Sequence, residues 1–205
     1  MSTITEMARS HYEKGVPYEI AEPETSLYQV LEETARFYPN RPATQYFGQE
    51  LTYSQLKTEV DRAANVLRLA GVRRGDAVSI ALPNCPQHVI VFYALMRIGA
   101  IAAEHNPLAP ISEIEQQIKR HRGKVAVVWE KSVSKFAFGP GHQLQTVFTV
   151  DITRYMPVTK KTMLALPIAP ARKARDQMRL AAPAGTLSWA AKVRAARPIA
   201  PSTPH

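Results

Sequence analysis

The feature that most constrains the fold lies between residues 77 and 150. There, short apolar segments that read as strands alternate with longer segments that read as helices. The short segments have the length and composition of buried strands; they are 77–82, 100–104, 125–129 and 146–150. Among the longer ones, residues 87–98 read as a nearly all-apolar helix and residues 112–122 as a polar one. This alternation predicts right-handed crossovers and an α/β fold, with a parallel sheet covered by helices on both faces.

Local signals mark where several helices begin and end. In a capping box, serine or threonine before the helix is followed three residues later by glutamate or glutamine. Three segments have this pattern, namely 26–29, 52–55 and 112–115. Gly71 follows the second of the predicted helices, at a position where a left-handed backbone is common. Residues 43–47 and 51–53 flank a turn and predict two short strands ahead of the parallel sheet.

The charge of the chain is unevenly distributed. The sequence has 26 Lys and Arg against 17 Asp and Glu, a formal net charge of +9. Residues 152–205 hold ten basic residues and one acid, Asp176, whereas residues 1–151 hold 16 of each sign. Seven of the 16 prolines also lie after residue 151. We therefore predict an N-terminal subdomain over 1–151 and a basic, proline-rich connector over 152–205, with a short helix at 171–182.

The basic connector has three interpretations. It can lie on an anionic membrane surface, with apolar side chains dipping into the lipid and basic ones at the headgroups. The apolar residues suited to this role are Met163, Leu164, Leu166 and Ile168. The basic residues are Lys160, Lys161, Arg172 and Arg175. It can instead contact nucleic acid, which we do not expect because few aromatic residues are available to stack on bases. The third interpretation is a solvated linker.

The cysteine and histidine content bears on the cellular compartment and on metal binding. Cys85 is the single cysteine, so no disulfide forms within the chain, which suits a reducing compartment. The histidines show no metal-ligand spacing, so we predict no metal site.

Residues 1–15 lack the apolar core of a signal peptide. The longest apolar run, 89–96, is far short of the ~20 residues that span a membrane. We expect a cytoplasmic protein, with peripheral membrane contact left open.

Several segments, in register, resemble one family of enzymes. They are 51–56 (Leu-Thr-Tyr-Ser-Gln-Leu), 69–76 (Leu-Ala-Gly-Val-Arg-Arg-Gly-Asp), 82–86 (Leu-Pro-Asn-Cys-Pro), and 95–100 leading into 104–108. In order and spacing they resemble the N-terminal region of the adenylate-forming superfamily, which includes acyl-CoA synthetases, luciferases and peptide-synthetase adenylation domains. Residues 104–108, 125–130 and 149–151, with the basic segment that follows, resemble bacterial long-chain fatty-acid synthetases. The resemblance covers roughly residues 26–189.

The resemblance implies an AMP-forming fatty-acid–CoA ligase. Such an enzyme converts ATP and a fatty acid to acyl-AMP and pyrophosphate, and then transfers the acyl group to CoA. ATP, CoA and Mg²⁺ are therefore implied for the intact enzyme. For this chain the resemblance implies the N-terminal subdomain of the adenylate-forming fold, incomplete at its C-terminal side.

The segments that carry the family's chemistry are not recognisable in this sequence. They include a glycine-rich loop ending in Pro-Lys-Gly, an acidic residue for Mg²⁺, an aspartate for the ribose and a C-terminal lysine. The one glycine cluster, 139–141, lacks the lysine and the Ser/Thr of a phosphate loop. We expect a truncated ligase that is inactive alone and binds none of these cofactors tightly, so we assign no catalytic residue. The alternative is a non-catalytic interaction or membrane-surface protein built on the synthetase scaffold.

Three polar residues are candidates for ligand contact because they follow strands at the edge where α/β sheets bind ligands. Asn84 follows the first strand of the parallel sheet, between Pro83 and Pro86, and can bond local backbone in that turn. His105 and Asn106 follow the second strand. The functional interpretation is contact with pantetheine or an acyl channel. The alternative is that all of these residues only build and cap the loops.

Overall fold

The computed structural model describes residues 4–9, 11–17 and 22–200, and it contains seven strands and eight helices within them. The strands are β1 (Pro42–Tyr46), β2 (Gln49–Thr52), β3 (Ala77–Ala81), β4 (Ile101–Glu104), β5 (Val125–Trp129), β6 (Thr146–Val150) and β7 (Leu187–Ser188). The helices are α1 (Ile4–Arg9), α2 (Leu27–Phe37), α3 (Tyr53–Leu69), α4 (Pro86–Ile98), α5 (Ile111–His121), α6 (Val158–Ala165), α7 (Ala169–Met178) and α8 (Trp189–Ala195). Short 3-10 helices occupy Val133–Lys135 and Ile152–Tyr155.

Two of the three predicted capping boxes are present. The hydroxyl of Ser26 accepts a hydrogen bond from the amide of Gln29, whose Oε1 in turn accepts one from the amide of Ser26 at 2.7 Å. Thr52 and Gln55 make the same reciprocal pair at the start of α3. The third box was predicted wrongly: α5 begins at Ile111 after Pro110, and no side chain caps it. Pro110 has an extended ψ of 150°, so the helix starts one residue early and Ser112 lies within its first turn.

The main sheet is parallel throughout, with the strand order β4-β3-β5-β6-β7. From β3 the chain steps to β4 on one side and then crosses to β5 on the other, which is the order of a doubly wound sheet. Strands β1 and β2 form a separate antiparallel pair. Between them Phe47 and Gly48 both have positive φ, as a two-residue hairpin turn with the twist of the strands requires.

Helices cover both faces of the parallel sheet, as predicted. On one face, α2, α3, α4 and α8 pack over strand residues such as Ile80, Val127 and Phe148. On the other face, Ile114 and Ile118 of α5 pack over Ala126 and Val128, together with the loop after β5. Gly71 follows α3 with a φ of +89°, the left-handed conformation expected there. Among the described residues, no helix has the length and apolarity needed to cross a lipid bilayer.

The region after Asp151 contains more structure than a linker. Strand β7 pairs with β6, and Trp189 and Val193 of α8 lie in the same core as α3 and the sheet. The predicted helix at 171–182 is present as α7 but ends at Met178. It ends there because Arg179 leaves the helix with an extended backbone and pairs with carboxylates at the end of the sheet. The proposed boundary after Asp151 stays a prediction.

Candidate functional site

The carboxyl ends of the strands form the edge of the sheet where a ligand would be expected. The strands β3, β4, β5 and β6 end at Ala81, Glu104, Trp129 and Val150. Because β3 and β5 are neighbours whose connections leave in opposite directions, the space between their carboxyl ends is where this topology is expected to bind a ligand. The three residues predicted from the sequence, Asn84, His105 and Asn106, all lie near this edge.

Asn84 is exposed in the turn between β3 and α4. It lines a shallow cavity of about 290 Å³ together with residues of β1 and the start of α4. Cys85 beside it is buried, and that burial raises the pKa of its thiol to about 11. Asn84 is thus available for contact, whereas Cys85 is held as a neutral, buried thiol.

Asn106 caps a turn. Its Oδ1 accepts a hydrogen bond of 2.9 Å from the amide of Leu108, and the side chain is otherwise exposed. This is the loop-capping contact that short polar side chains make in turns. The contact agrees with the interpretation of Asn106 as a loop-building residue.

His105 points under α5 into a partly buried polar cluster, which we call the histidine relay (Ser79, His105, Gln117 and His121). The Oε1 of Gln117 accepts from His105 Nδ1 at 2.6 Å, so the neutral ring presents an unprotonated Nε2 to the Ser79 hydroxyl at 3.0 Å. His121 Nδ1 accepts from the amide of Gly123 at 2.9 Å, which leaves its Nε2–H to donate to Ser79 Oγ at 3.1 Å. Each polar group of the relay has a partner only while both rings are neutral.

The sequence did not reveal this relay because its members come from three elements. Ser79 lies on β3, His105 follows β4, and Gln117 and His121 lie on α5. Spacing does suggest a face shared by Gln117 and His121, which are four residues apart on a helix. The structure does not bring His105 together with Asn84, and the three predicted residues lie in three different surroundings.

Acidification is expected to destabilise the fold through the histidine relay. Burial lowers the pKa of His105 and of His121, and the neighbouring ring of His105 lowers the pKa of His121 further. The unfolded chain therefore binds more protons than the folded one, and this contribution to the free energy of unfolding falls as the pH drops below about 6.5. His88 acts in the opposite sense, because its hydrogen bond to Glu104 raises its pKa and stabilises its protonated form.

Urea unfolding at pH 7.5, 6.5 and 5.5 checks this expectation. The loss of stability on acidification should be smaller in His105→Gln and larger in the control His88→Gln. An unchanged pH dependence in His105→Gln would contradict a neutral relay.

A second polar group lies at the carboxyl ends of β5 and β6, where α7 crosses the edge of the sheet. Arg179 lies 3.8 Å from a carboxylate oxygen of Glu130 and 3.2 Å from one of Asp151. Burial, and next the charge of Asp151, raise the pKa of Glu130. The indole of Trp129 donates to the carbonyl of Met178 at 2.8 Å, which fastens the end of α7 to β5. Sequence reasoning missed this group because its charges are more than 20 residues apart.

Neither a cluster of metal ligands nor a glycine-rich phosphate loop is present among the described residues. They contain no group of three or more His, Cys, Asp or Glu side chains that could hold a metal ion. Gly139 and Gly141 have positive φ in a turn where the amide of Gly139 donates to the carbonyl of Leu144. That turn does not lead into a helix, so it lacks the geometry of a phosphate loop.

Comparison with known proteins agrees with the sequence motifs. The AMP-binding enzyme family matches residues 31–190. A long-chain-fatty-acid–CoA ligase of Bacillus subtilis is 28% identical over 163 residues, covering 77% of this chain and 28% of the ligase. The corresponding ligase of Yersinia pestis is 32% identical over 152 residues, covering 73% of this chain and 25% of that ligase. The chain thus spans about a quarter of the length of the relatives it matches.

Solved structures share the fold. An anthranilate CoA ligase in complex with anthranoyl-AMP superposes with a TM-score of 0.66 at 19% identity, over 84% of this chain and 28% of the ligase. Coronafacic acid ligase from Pectobacterium brasiliense gives a TM-score of 0.63 at 15% identity, over 84% of this chain and 30% of that ligase. The recognised motifs, the doubly wound sheet and the match over 31–190 agree, and the chain belongs to the family of AMP-binding enzymes.

Proposed function

We propose that this chain is the N-terminal scaffold of an AMP-forming fatty-acid–CoA ligase that works in the cytoplasm. In the intact enzyme ATP and a fatty acid would give acyl-AMP and pyrophosphate, and the acyl group would then pass to CoA. The observation that carries this proposal is the family match over residues 31–190. The choice of fatty acid as substrate is supported by the long-chain-fatty-acid–CoA ligases among the relatives, which are 28–34% identical.

The residues of this chain would contribute shape rather than bond-making groups. The parallel sheet presents its carboxyl edge, and Asn84 is the candidate there whose side chain is exposed and lines a cavity. His105 and Asn106 would position the loop after β4 through the relay and the Asn106 turn. The described residues contain no cluster of metal ligands, and their glycine-rich turn is not a phosphate loop, so we propose that other segments of the intact enzyme hold Mg²⁺ and the phosphates of ATP. Without a cation clamp and an anion cradle, adenylation would be immeasurably slow.

Split-enzyme complementation tests this proposal. The 205-residue chain is mixed with the part of the Bacillus subtilis ligase that it does not match, and fatty-acid-dependent pyrophosphate release is measured. We expect no release from the chain alone and measurable release from the mixture. The positive control is the same remainder with its own N-terminal segment, and the negative control is the remainder alone.

Two outcomes of this assay would contradict the proposal. Adenylation by the chain alone would show that its own residues carry the chemistry. Rescue by the ligase's own segment, but not by a folded 205-residue chain, would show that the chain is no longer a working scaffold. Circular dichroism of the chain separates the second outcome from simple failure to fold.

A second candidate is a non-catalytic protein that lies on anionic membranes, and the surface of α6 and α7 favours it. Met163 is 58% exposed, and Val158, Leu166 and Ile168 are also exposed, beside the basic side chains of Lys160, Arg172 and Lys173. Apolar side chains next to positive charge suit the boundary between headgroups and acyl chains. Sedimentation with phosphatidylglycerol vesicles, run beside the complementation assay, separates the candidates. Vesicle binding without any rescue would favour this second function.

A further inference from the structure

Strand β4 lies at one edge of the parallel sheet, and among the described residues it pairs only with β3. The amides of Ile101 and His105 donate toward β3, to main-chain carbonyls at 2.9 and 2.8 Å. Because the main-chain groups of a strand point to alternate sides, those of Ala102 and Glu104 point away from β3. No hydrogen bond to these outward groups is made within the described part of the chain.

The four residues of β4, all of which the structure describes, contain no feature that protects an edge. Proteins commonly protect edge strands with proline, lysine or a bulge. β4 has the sequence Ile-Ala-Ala-Glu and keeps a regular register with β3 over its whole length. Its charged side chain, Glu104, is drawn back onto α4 by a hydrogen bond of 3.0 Å with His88. A regular, mostly apolar edge of this kind is expected to pair with another strand.

Two copies of β4 are complementary to each other when they run antiparallel. If Ala103 of one copy lies opposite Ala103 of the other, then Ala102 lies opposite Glu104, and these are the residues whose main-chain groups point outward. Each such pair exchanges two hydrogen bonds, and the alanines meet at the axis, where the two strands approach most closely. Ile101 is 54% exposed and would reach diagonally toward Ala103 of the second copy.

The side of α5 above this edge is complementary to its own copy in the same register. The buried isoleucines of α5 face β5, whereas Gln117 reaches the ring of His105 after β4 at 2.6 Å. Glu113 and Arg120 flank Gln117 on that side, are exposed, and form no ion pair within the described part of the chain. The two-fold axis sets α5 antiparallel to its copy, so Glu113 of each lies opposite Arg120 of the other.

The other face of the edge offers an apolar contact. Phe92 lies one turn after His88 on α4, is half-buried, and meets the ring of Tyr93 at 5.6 Å. Since His88 binds Glu104, this part of α4 borders β4. Paired main chain, an apolar ring and exposed charges together have the composition of a protein–protein interface.

We propose that a second copy of this chain binds the β4 edge, antiparallel and about a two-fold axis at Ala103, so that the two five-stranded sheets become one. The pairs between Glu113 and Arg120 would fix the register, because a shift of the strands along each other separates them. The same surface patch serves both copies, as a two-fold interface requires. The proposal does not depend on the ligase function, since it uses neither a cofactor nor the carboxyl edge of the sheet.

Sedimentation equilibrium of the 205-residue chain over a range of concentrations tests the proposal. We expect a reversible equilibrium between monomer and dimer, weakened at least about tenfold in Ala102→Pro. Proline has no amide hydrogen, and the amide of Ala102 points away from β3. The variant should therefore keep its own sheet, as circular dichroism would check, while losing its bonds to the second copy.

Charge reversal on α5 provides an independent set of variants. Glu113→Arg and Arg120→Glu each place like charges opposite one another at two symmetric positions, and each should weaken dimerisation about tenfold. The double variant restores opposite charges and should dimerise as the unaltered chain does. Glu115→Arg is the matched control, since Glu115 is exposed on the side of α5 away from β4, and it should leave the dimer unchanged.

Four results would overturn the proposal. They are a monomer at every concentration, association that Ala102→Pro leaves unchanged, a loss in Glu113→Arg that the double variant does not reverse, and dissociation of the dimer by the remainder of the Bacillus subtilis ligase. The second and third would place the contact elsewhere, and the last would assign the edge to a segment of the intact enzyme. If Ala102→Pro fails to fold, the exposed charge variants decide. A monomer that still rescues the ligase remainder would leave the proposed function standing.

Discussion

Replacing Asp61 with alanine is expected to lower the free energy of unfolding by about 3–5 kcal/mol, the cost of removing one member of a buried, hydrogen-bonded group of charges. Asp61 lies on α3 and is 4% exposed. It accepts a hydrogen bond of 2.7 Å from the Tyr28 hydroxyl of α2, and lies 3.4 Å from Arg97 Nε of α4. The Arg97 guanidinium also stacks on the Tyr28 ring, 4.2 Å from its centre. One carboxylate therefore holds three helices together.

Urea unfolding measures this effect, and Asp176→Ala is the matched control. Asp176 is exposed on α7, and removing it should change the stability by less than about 0.5 kcal/mol. The double variant Asp61→Leu with Arg97→Met should recover part of the loss, because apolar pairs often replace buried ion pairs without penalty. The recovery should be incomplete, because the buried Tyr28 hydroxyl still loses its acceptor. A loss below about 1 kcal/mol in Asp61→Ala would mean that the buried charges find other partners.

Replacing Trp189 with alanine is the second large effect, with an expected loss of about 3–5 kcal/mol. Trp189 begins α8, is 3% exposed, and meets the Phe148 ring of β6 edge to face at 5.5 Å. Removing the indole leaves a cavity between α8, α3 and the sheet. The loss would be large only if the region after residue 151 folds as one unit with the sheet.

Leu187, two residues before Trp189, provides the control. Leu187 of β7 is exposed, so Leu187→Ala should cost less than about 1 kcal/mol. Circular dichroism should show a single transition in both variants. A small effect of Trp189→Ala, or a separate early transition, would instead support residues 152–205 as an independent connector.

Sequence patterns predicted the elements whose signals are local. The first four strands of the parallel sheet lie within a residue of their expected positions because their apolar composition and length are encoded in consecutive residues. The fifth strand, β7, was not predicted, because its two residues carry no such pattern. The capping boxes at Ser26 and Thr52 succeeded for the same reason. The box at Ser112 failed because Pro110, two residues earlier, already sets the extended turn from which α5 begins.

Features that join distant segments could not be predicted in this way. Asp61 follows the buried Val60 on α3 and resembles a surface charge until α2 and α4 supply Tyr28 and Arg97. His105 was selected for its place after a strand, yet its ring turns beneath α5 toward Ser79. In the sequence, Arg154 and Arg194 are only two of the ten basic residues of the connector. They line one cavity of about 520 Å³ only after α8 packs on α3.

The order of strands in the sheet has a consequence for how the chain folds as it is synthesised. Strand β4 joins one side of β3, and β5, β6 and β7 then add in turn to the other side. Each new strand thus meets a free edge as it emerges from the ribosome, and no strand must insert between two that are already paired. At roughly 5–20 residues per second, the 36 residues between β6 and β7 give the first four strands several seconds to assemble. Synthesis and assembly can therefore advance in the same direction, from β3 and β4 at one side of the sheet to its β7 edge.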